Sequence, residues 1–247
     1  MTNRVALITG AASGIGAAIA TRLAHEGAAV ALLARRADRL EKLAARIVES
    51  GGTAIAVPAD VVDEESVAAA AAQVQERLGD IDLLVNNAGL MKVVPFEALP
   101  AEQWRRLIDV NVNGMINVTR IFLPTLKRSA ATKTTDLVNV SSIAGERFMA
   151  GMATYGASKA ALTYLSRALR IEVAGDGIRV TNLEPGMTGG TELADEFPAD
   201  LQAMVDEIRT SLPAIQADEV ADLVAYVVSR PRNVNLSRVV IQPAKEI

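Results

Sequence analysis

A tyrosine and a lysine stand four residues apart in Tyr155-Gly156-Ala157-Ser158-Lys159, a spacing that places both on one face of a helix. A free phenol titrates near ~10 and is a reluctant base at neutral pH, whereas a neighbouring ammonium favours the phenolate and lowers that value. The pair therefore predicts a usable general acid/base at Tyr155. Tyr and Lys often share a helix face by accident, so the pair needs partners. Upstream, Asn139-Val140-Ser141-Ser142-Ile143-Ala144-Gly145 closes an apolar strand-like run, the end of a strand at which doubly wound sheets bind ligands. A hydroxyl there can hydrogen-bond a substrate oxygen and hold a developing alkoxide without attacking it. Successive strand side chains point to opposite faces, so only one of Ser141 and Ser142 can serve.

A second cluster, Thr9-Gly10-Ala11-Ala12-Ser13-Gly14-Ile15-Gly16, follows the first apolar run and opens the first helical pattern. Glycines there allow a tight turn and close approach to a pyrophosphate, whose charge faces helix N-terminal amides. The spacing is G-x-x-x-G-x-G, not the G-x-G-x-x-G of the general dinucleotide fingerprint. The second apolar run ends in Leu33-Ala34-Arg35-Arg36, with no acid. A ribose 2′-hydroxyl is best held by a carboxylate and a 2′-phosphate by guanidinium forks, so Arg35 and Arg36 point to NADP(H), with NAD(H) as the alternative.

The elements that must position these groups read as alternating strands and helices. Short β-branched runs at 5–9, 29–33, 53–57, 83–86, 136–139, 179–183 and 238–241 alternate with helical patterns at 14–26, 38–49, 64–78, 101–127, 153–173 and 217–228. This alternation predicts an α/β, doubly wound (Rossmann) fold with a seven-stranded parallel sheet, in a single domain spanning 1–247. Segment 187–213 carries glycines and prolines between a strand and a helix and is expected to be a substrate loop. The helices at 101–127 and 153–173 carry more apolar positions than one stripe explains, Trp104, Leu107, Ile108, Met115, Leu162, Leu165 and Leu169 among them. A homo-oligomer follows as an expectation.

Composition narrows the function classes. The 247 residues, half of them apolar, suffice for one sizeable core. A formal charge of −4 offers no basic surplus for a phosphate backbone, so nucleic acid is not an expected partner. The chain has no cysteine and a single histidine, His25, in a helical pattern, which leaves no zinc-type ligand set; no metal is expected. Met1-Thr2-Asn3-Arg4 runs straight into a strand-like segment and no apolar run is long enough to span a bilayer. A cytoplasmic protein without a membrane partner is expected.

Taken together, the motifs resemble the short-chain dehydrogenase/reductase family over nearly the whole chain. Thr9 to Gly16 matches that family's T-G-x-x-x-G-[IL]-G completely, Asn86-Asn87-Ala88-Gly89 its N-N-A-G, and Asp60-Val61 the acid that closes the third strand. The resemblance implies a cofactor held by Gly10, Ser13, Gly14, Ile15, Gly16, Arg35, Arg36, Asp60, Val61, Asn87, Ala88 and Gly89. Pro185-Gly186 resembles the segment that meets the nicotinamide, with Thr188 as the accompanying threonine and Thr191 as the alternative. By the family's interval Ser142 is the catalytic serine, and Asn111-Val112-Asn113-Gly114 resembles N-x-x-G, making Asn111 the fourth member and Asn113 its alternative.

The implied activity is hydride transfer between NADP(H) and a small alcohol/carbonyl pair. Asn111, Ser142, Tyr155 and Lys159 would be catalytic, and Tyr155 and Lys159 would also touch the cofactor. The wording around Glu184-Pro185-Gly186 and Val239-Val240-Ile241-Gln242-Pro243 resembles a bacterial branch of NADP-dependent reductases. That branch acts on 3-hydroxy acids, aldehydes and ketones and includes clavulanic-acid-type reductases; it implies a tetramer. Val93, Ile143, Met149, Met187 and Phe197 are expected to line a partly apolar pocket, with Arg147 and Glu146 as charges that could meet a carboxylate or an amine. An NAD-dependent secondary-alcohol or amino-alcohol dehydrogenase is the alternative, and a nucleotide-binding regulator or a lyase or epimerase the competing classes.

Overall fold

The structure is a computed structural model describing residues 1–191 and 214–245. Most of the expected substrate loop, Phe197 included, lies outside the described residues.

Seven strands form one sheet in which every pairing is parallel: β1 (Val5–Thr9), β2 (Ala29–Ala34), β3 (Thr53–Pro58), β4 (Leu83–Asn86), β5 (Thr135–Val140), β6 (Ile178–Pro185) and β9 (Arg238–Ile241). Their order is β3-β2-β1-β4-β5-β6-β9, the doubly wound arrangement expected from the strand–helix alternation. The short strands β7 (Thr188–Gly189) and β8 (Ile215–Gln216) pair with each other at either side of the undescribed segment; both went unseen in the sequence.

Two apolar layers cover the sheet, and the period-2 alternation of the strands sorts residues between them. On β1, Ala6 and Ile8 face α1 (Gly14–His25), α2 (Ala37–Glu49) and α7 (Ala217–Val228), while Leu7 faces the opposite layer. That layer includes α3 (Glu64–Leu78), α5 (Gly114–Ala130) and α6 (Ala153–Val173). On β6, Leu183 enters the first layer and Val180 the second, so Asn182 and Glu184 share the side of α6.

The expected continuous helix over 101–127 requires correction. It consists of α4 (Ala101–Ile108), a π-helical turn at Asp109–Asn113 and α5, which runs on to Ala130. The physical reason is the Asn111 side chain, which takes the Leu90 N–H on Oδ1 at 2.7 Å and returns Nδ2 to the Leu90 carbonyl at 2.9 Å. Those two bonds fasten the helix to the chain leaving β4. An extra residue in the turn lets the amide reach them, as π-turns commonly do at functional places.

Candidate active site

The glycine turn closes over the C-terminal end of β1. A Cβ added to Gly16 would lie 2.4 Å from the Gly10 carbonyl oxygen and 2.5 Å from Asn87 Nδ2, so only glycine lets the helix start this close to the turn. Asn87 fastens the turn by donating Nδ2 to the Thr9 carbonyl at 3.0 Å, and Thr9 Oγ1 accepts the N–H groups of Asn87 and Ala88 at 2.9 and 3.0 Å. The N-N-A-G segment thus braces the sheet and the turn together. An open cleft beside it is lined by Gly10, Ser13, Gly14, Ile15, Arg35, Arg36, Asp60, Val61 and Asn87-Ala88-Gly89. Arg36 Nη2 donates to Ser13 Oγ at 2.9 Å, linking the end of β2 to the turn and bringing cationic and hydroxyl donors to one rim.

Asp60 sits in the same cleft, with Oδ1 accepting the Val62 N–H at 3.1 Å and Oδ2 accepting Arg106 Nη2 at 3.1 Å. Partial burial works against its ionised form, but the Val62 N–H and the Arg106 guanidinium win and hold the carboxyl below its ordinary value. Arg106 was missed in the sequence, because nothing local to α4 says that its side chain crosses to β3.

Beyond Gly89 the cleft meets the second cluster: a Cβ built there would lie 3.4 Å from Asn111 Oδ1 and 3.5 Å from Lys159 Nζ. Tyr155 and Lys159 lie on the buried side of α6, as the four-residue spacing requires. Ser142 opens a 3-10 turn (Ile143–Gly145) and accepts the Ala144 N–H at 3.1 Å. The turn packs on α6 so tightly that a Cβ at Gly145 would meet the Lys159 and Ala160 backbone at 3.0 Å, which brings the Ser142 hydroxyl near enough to the Tyr155 phenol to favour its ionised form.

The packing gives the two serines different surroundings. Ser141 is buried, donating to the Lys159 carbonyl at 2.8 Å and lying 3.2 Å from Thr163 Oγ1, so it braces α6 while Ser142 faces Tyr155. Asn111 is fully buried and also donates to Ser158 Oγ at 2.9 Å, whereas Asn113 bonds Asp109 at the surface.

Electrostatics here differ from the sequence expectation that the ammonium lowers the phenol. Burial pushes Tyr155 above its ordinary value, with the Ser142 hydrogen bond opposing it, and burial pulls Lys159 down to about 8. The Lys159 ammonium points instead to the Val140 carbonyl at 3.0 Å and lies 5.8 Å from the centre of the Tyr155 ring. Desolvation outweighs the pair's mutual effect because both groups are cut off from water. A phenol so placed keeps its proton at neutral pH.

The family model for short chain dehydrogenases matches residues 4–202. The chain belongs to the short-chain dehydrogenase family. Over 97% of its length it is 37% identical to a serine 3-dehydrogenase of Rhizobium radiobacter, covering 94% of that protein. A probable NADP-dependent dehydrogenase of Haemophilus influenzae is 34% identical, with 100% of this chain and 96% of the relative covered. Among solved structures, the closed form of a serine dehydrogenase complexed with NADP+ superposes with a TM-score of 0.90 at 30% identity, covering 98% of this chain and 96% of that one.

For this short-chain dehydrogenase, the remaining expected site residues divide. Pro185 and Gly186 end β6 beside the serine: Ser142 Oγ lies 3.4 Å from the Pro185 carbonyl, and Gly186 donates its N–H to Ile241 at 2.7 Å. Thr188 turns back on the Gly186 carbonyl at 3.0 Å, while Thr191 reaches the glycine-turn cleft. Of the two threonines, Thr191 is therefore the one at the dinucleotide groove. Leu90 and Met91, directly after the N-N-A-G motif, and Ala34, just before the two arginines, also line that groove. The two charges offered as substrate contacts are engaged elsewhere: Glu146 pairs with Arg167 and Arg238, and Arg147 donates to Gln242 at 2.9 Å.

Proposed function

We propose that this short-chain dehydrogenase transfers a hydride between NADP(H) and a small alcohol/carbonyl pair, an aldehyde, a ketone or a 3-hydroxy acid. The observation that carries the reading is the convergence of Asn111, Ser142, Tyr155 and Lys159 at the C-terminal edge of the sheet, next to a glycine turn. The cleft suits a phosphorylated dinucleotide: a missing Cβ at Gly16, helix amides at the start of α1, and Arg35 and Arg36 at the rim where a 2′-phosphate would lie. The NADP-bound serine dehydrogenase and the NADP-dependent relative support that cofactor.

When bound, NADP(H) supplies or accepts the hydride. Tyr155, kept protonated by burial, gives its proton to the carbonyl oxygen during reduction and recovers it during oxidation. Ser142 hydrogen-bonds the same oxygen and stabilises the charge that develops on it. Lys159 holds a cation near the tyrosine ring and would hold the nicotinamide ribose when the cofactor is bound, and Asn111 locks the π-turn to Leu90. Val93, Ile143 and Met149 supply apolar surface at the mouth, and the serine 3-dehydrogenase relative supports a small hydroxy acid among the substrates.

The active species is a cytoplasmic homotetramer. Its support is the apolar surface left open by one chain: Phe96, Phe148, Tyr164 and Ile171 are each more than 70% exposed. Light scattering giving only a monomer mass would remove that part.

The deciding experiment follows absorbance loss of NADPH and NADH separately with a panel of aldehydes, ketones and keto acids, beside Tyr155→Phe. Faster NADPH loss that disappears in the variant is expected. NADH preference would overturn the cofactor assignment, and tight cofactor binding without turnover would favour a regulator.

A further inference from the structure

Every residue of β6 is buried, and one of them is a glutamate. Glu184 is 1% exposed. A carboxylate removed from water costs several kcal/mol unless it is paired and its lone pairs are filled. Arg238 supplies the pairing. Its Nε lies 3.2 and 3.1 Å from Glu184 Oε1 and Oε2, and its Nη2 lies 2.8 Å from Oε2 and continues to Glu146 on the turn after Ser142. In the β6–β9 register Arg238 stands opposite Asn182, so its fork reaches diagonally to Glu184 across one sheet face.

The remaining acceptor site of Glu184 has a consequence that reaches the candidate active site. Asn182 Nδ2 donates to Glu184 Oε1 at 2.6 Å and to Thr163 Oγ1 at 3.2 Å, while Asn182 Oδ1 is buried without a partner. Flipping that amide would set its oxygen against the carboxylate, so the charge of Glu184 dictates which way the amide points. Thr163 Oγ1 then accepts a hydrogen bond from Asn182, which leaves its own hydroxyl proton to donate elsewhere. Ser141 spends its single proton on the Lys159 carbonyl at 2.8 Å, so the 3.2 Å contact between Thr163 and Ser141 must run from Thr163 to Ser141. The carboxylate sets the first link and the Lys159 carbonyl the last, and together they give a directed relay, Asn182 to Thr163 to Ser141 to the Lys159 backbone, that ends one helical turn from where it enters α6.

We propose that Glu184, held by Arg238, is a positioning residue for the reaction, setting the place of Lys159 through this directed chain. The proposal rests on the oxidoreductase reading of the site. It gives a specific pattern: loss of the carboxylate charge should disturb kcat while leaving capture of the dinucleotide in the glycine-turn cleft intact.

The test compares Glu184→Gln, Thr163→Val and the double variant in the full chain, measuring kcat, KM for NADPH and NADPH binding by fluorescence. Unaltered protein turning over the carbonyl panel first establishes the oxidoreductase reading independently. For Glu184→Gln and for Thr163→Val, kcat is expected to fall about tenfold or more, with NADPH affinity within about twofold of the parent. Because both act through one chain, the double variant should fall little below the worse single one. Parental kcat in a folded Glu184→Gln would overturn the proposal, as would multiplicative losses in the double variant. Should Glu184→Gln fail to fold, Thr163→Val keeps Glu184 and its arginine intact, and parental kcat there would equally sink the relay.

Discussion

Lys159 donates its ammonium to the carbonyl of Val140 at 3.0 Å, a backbone oxygen two residues before Ser142. Burial lowers this lysine to about 8 from 10.5, so below pH 8 the folded chain carries a charge that water would hold better. Between pH 8 and 10.5 the unfolded chain binds a proton that the folded chain has lost, and stability therefore rises with pH across that window. The penalty at pH 7 is on the order of 3 kcal/mol, offset in part by the Val140 bond. Lys159→Met should abolish turnover yet melt about 4–8 °C higher at pH 7. That advantage should shrink as pH rises toward 10.5; a variant that melts lower at pH 7 would show that the Val140 bond outweighs the desolvation.

Tyr155→Phe should lower kcat by about 10²–10⁴-fold with NADPH binding retained, since it removes one transferable proton and little else. Because burial raises the phenol, carbonyl reduction should be level through neutral pH and decline above about 8, where Lys159 loses its proton. A reduction rate that increases from pH 8 to pH 9 would count against the protonated phenol as the donor.

Arg36 bridges to Ser13 at the rim of the glycine turn. Replacing Arg35 and Arg36 one at a time with alanine should raise KM for NADPH by about 10- to 100-fold each, the worth of a charge-assisted hydrogen bond, and leave NADH little changed. Equal losses with both cofactors would mean that the arginines hold the turn and do not read the phosphate.

At the opposite end of the sheet, Asp136 accepts Arg179 Nε at 2.8 Å, Arg179 Nη2 at 2.9 Å and Arg4 Nη2 at 2.8 Å, with its side chain 3% exposed. Asp136→Ala leaves two guanidiniums facing each other without their shared counter-charge. A loss of about 3–5 kcal/mol is expected, visible as a lower urea midpoint with an unchanged slope. A shift below about 1 kcal/mol would show that the carbonyls around Arg179 suffice.

The seven strands and their parallel sheet were legible because buried parallel strands write themselves as short apolar runs and each helix between them carries its own periodicity, whereas the order β3-β2-β1-β4-β5-β6-β9 came from the structure. The Tyr155–Lys159 pair was equally legible, since its geometry is internal to one helix. The sequence alone, through local periodicity, spacing and glycine chemistry, determined the doubly wound fold, the glycine turn and the Tyr155–Lys159 pair, while Asn111 and Ser142 came from the family resemblance. Tertiary structure decided what long-range contacts control. It broke the 101–127 helix because Asn111 reaches Leu90, and turned Ser141 onto the Lys159 carbonyl and Ser142 toward Tyr155 because the 3-10 turn rests on α6. It brought Arg106 to Asp60, and it made Tyr155 and Lys159 each resist ionisation. Burial and the direction of a hydrogen bond depend on every element that closes around a group, and no window of sequence contains those elements together.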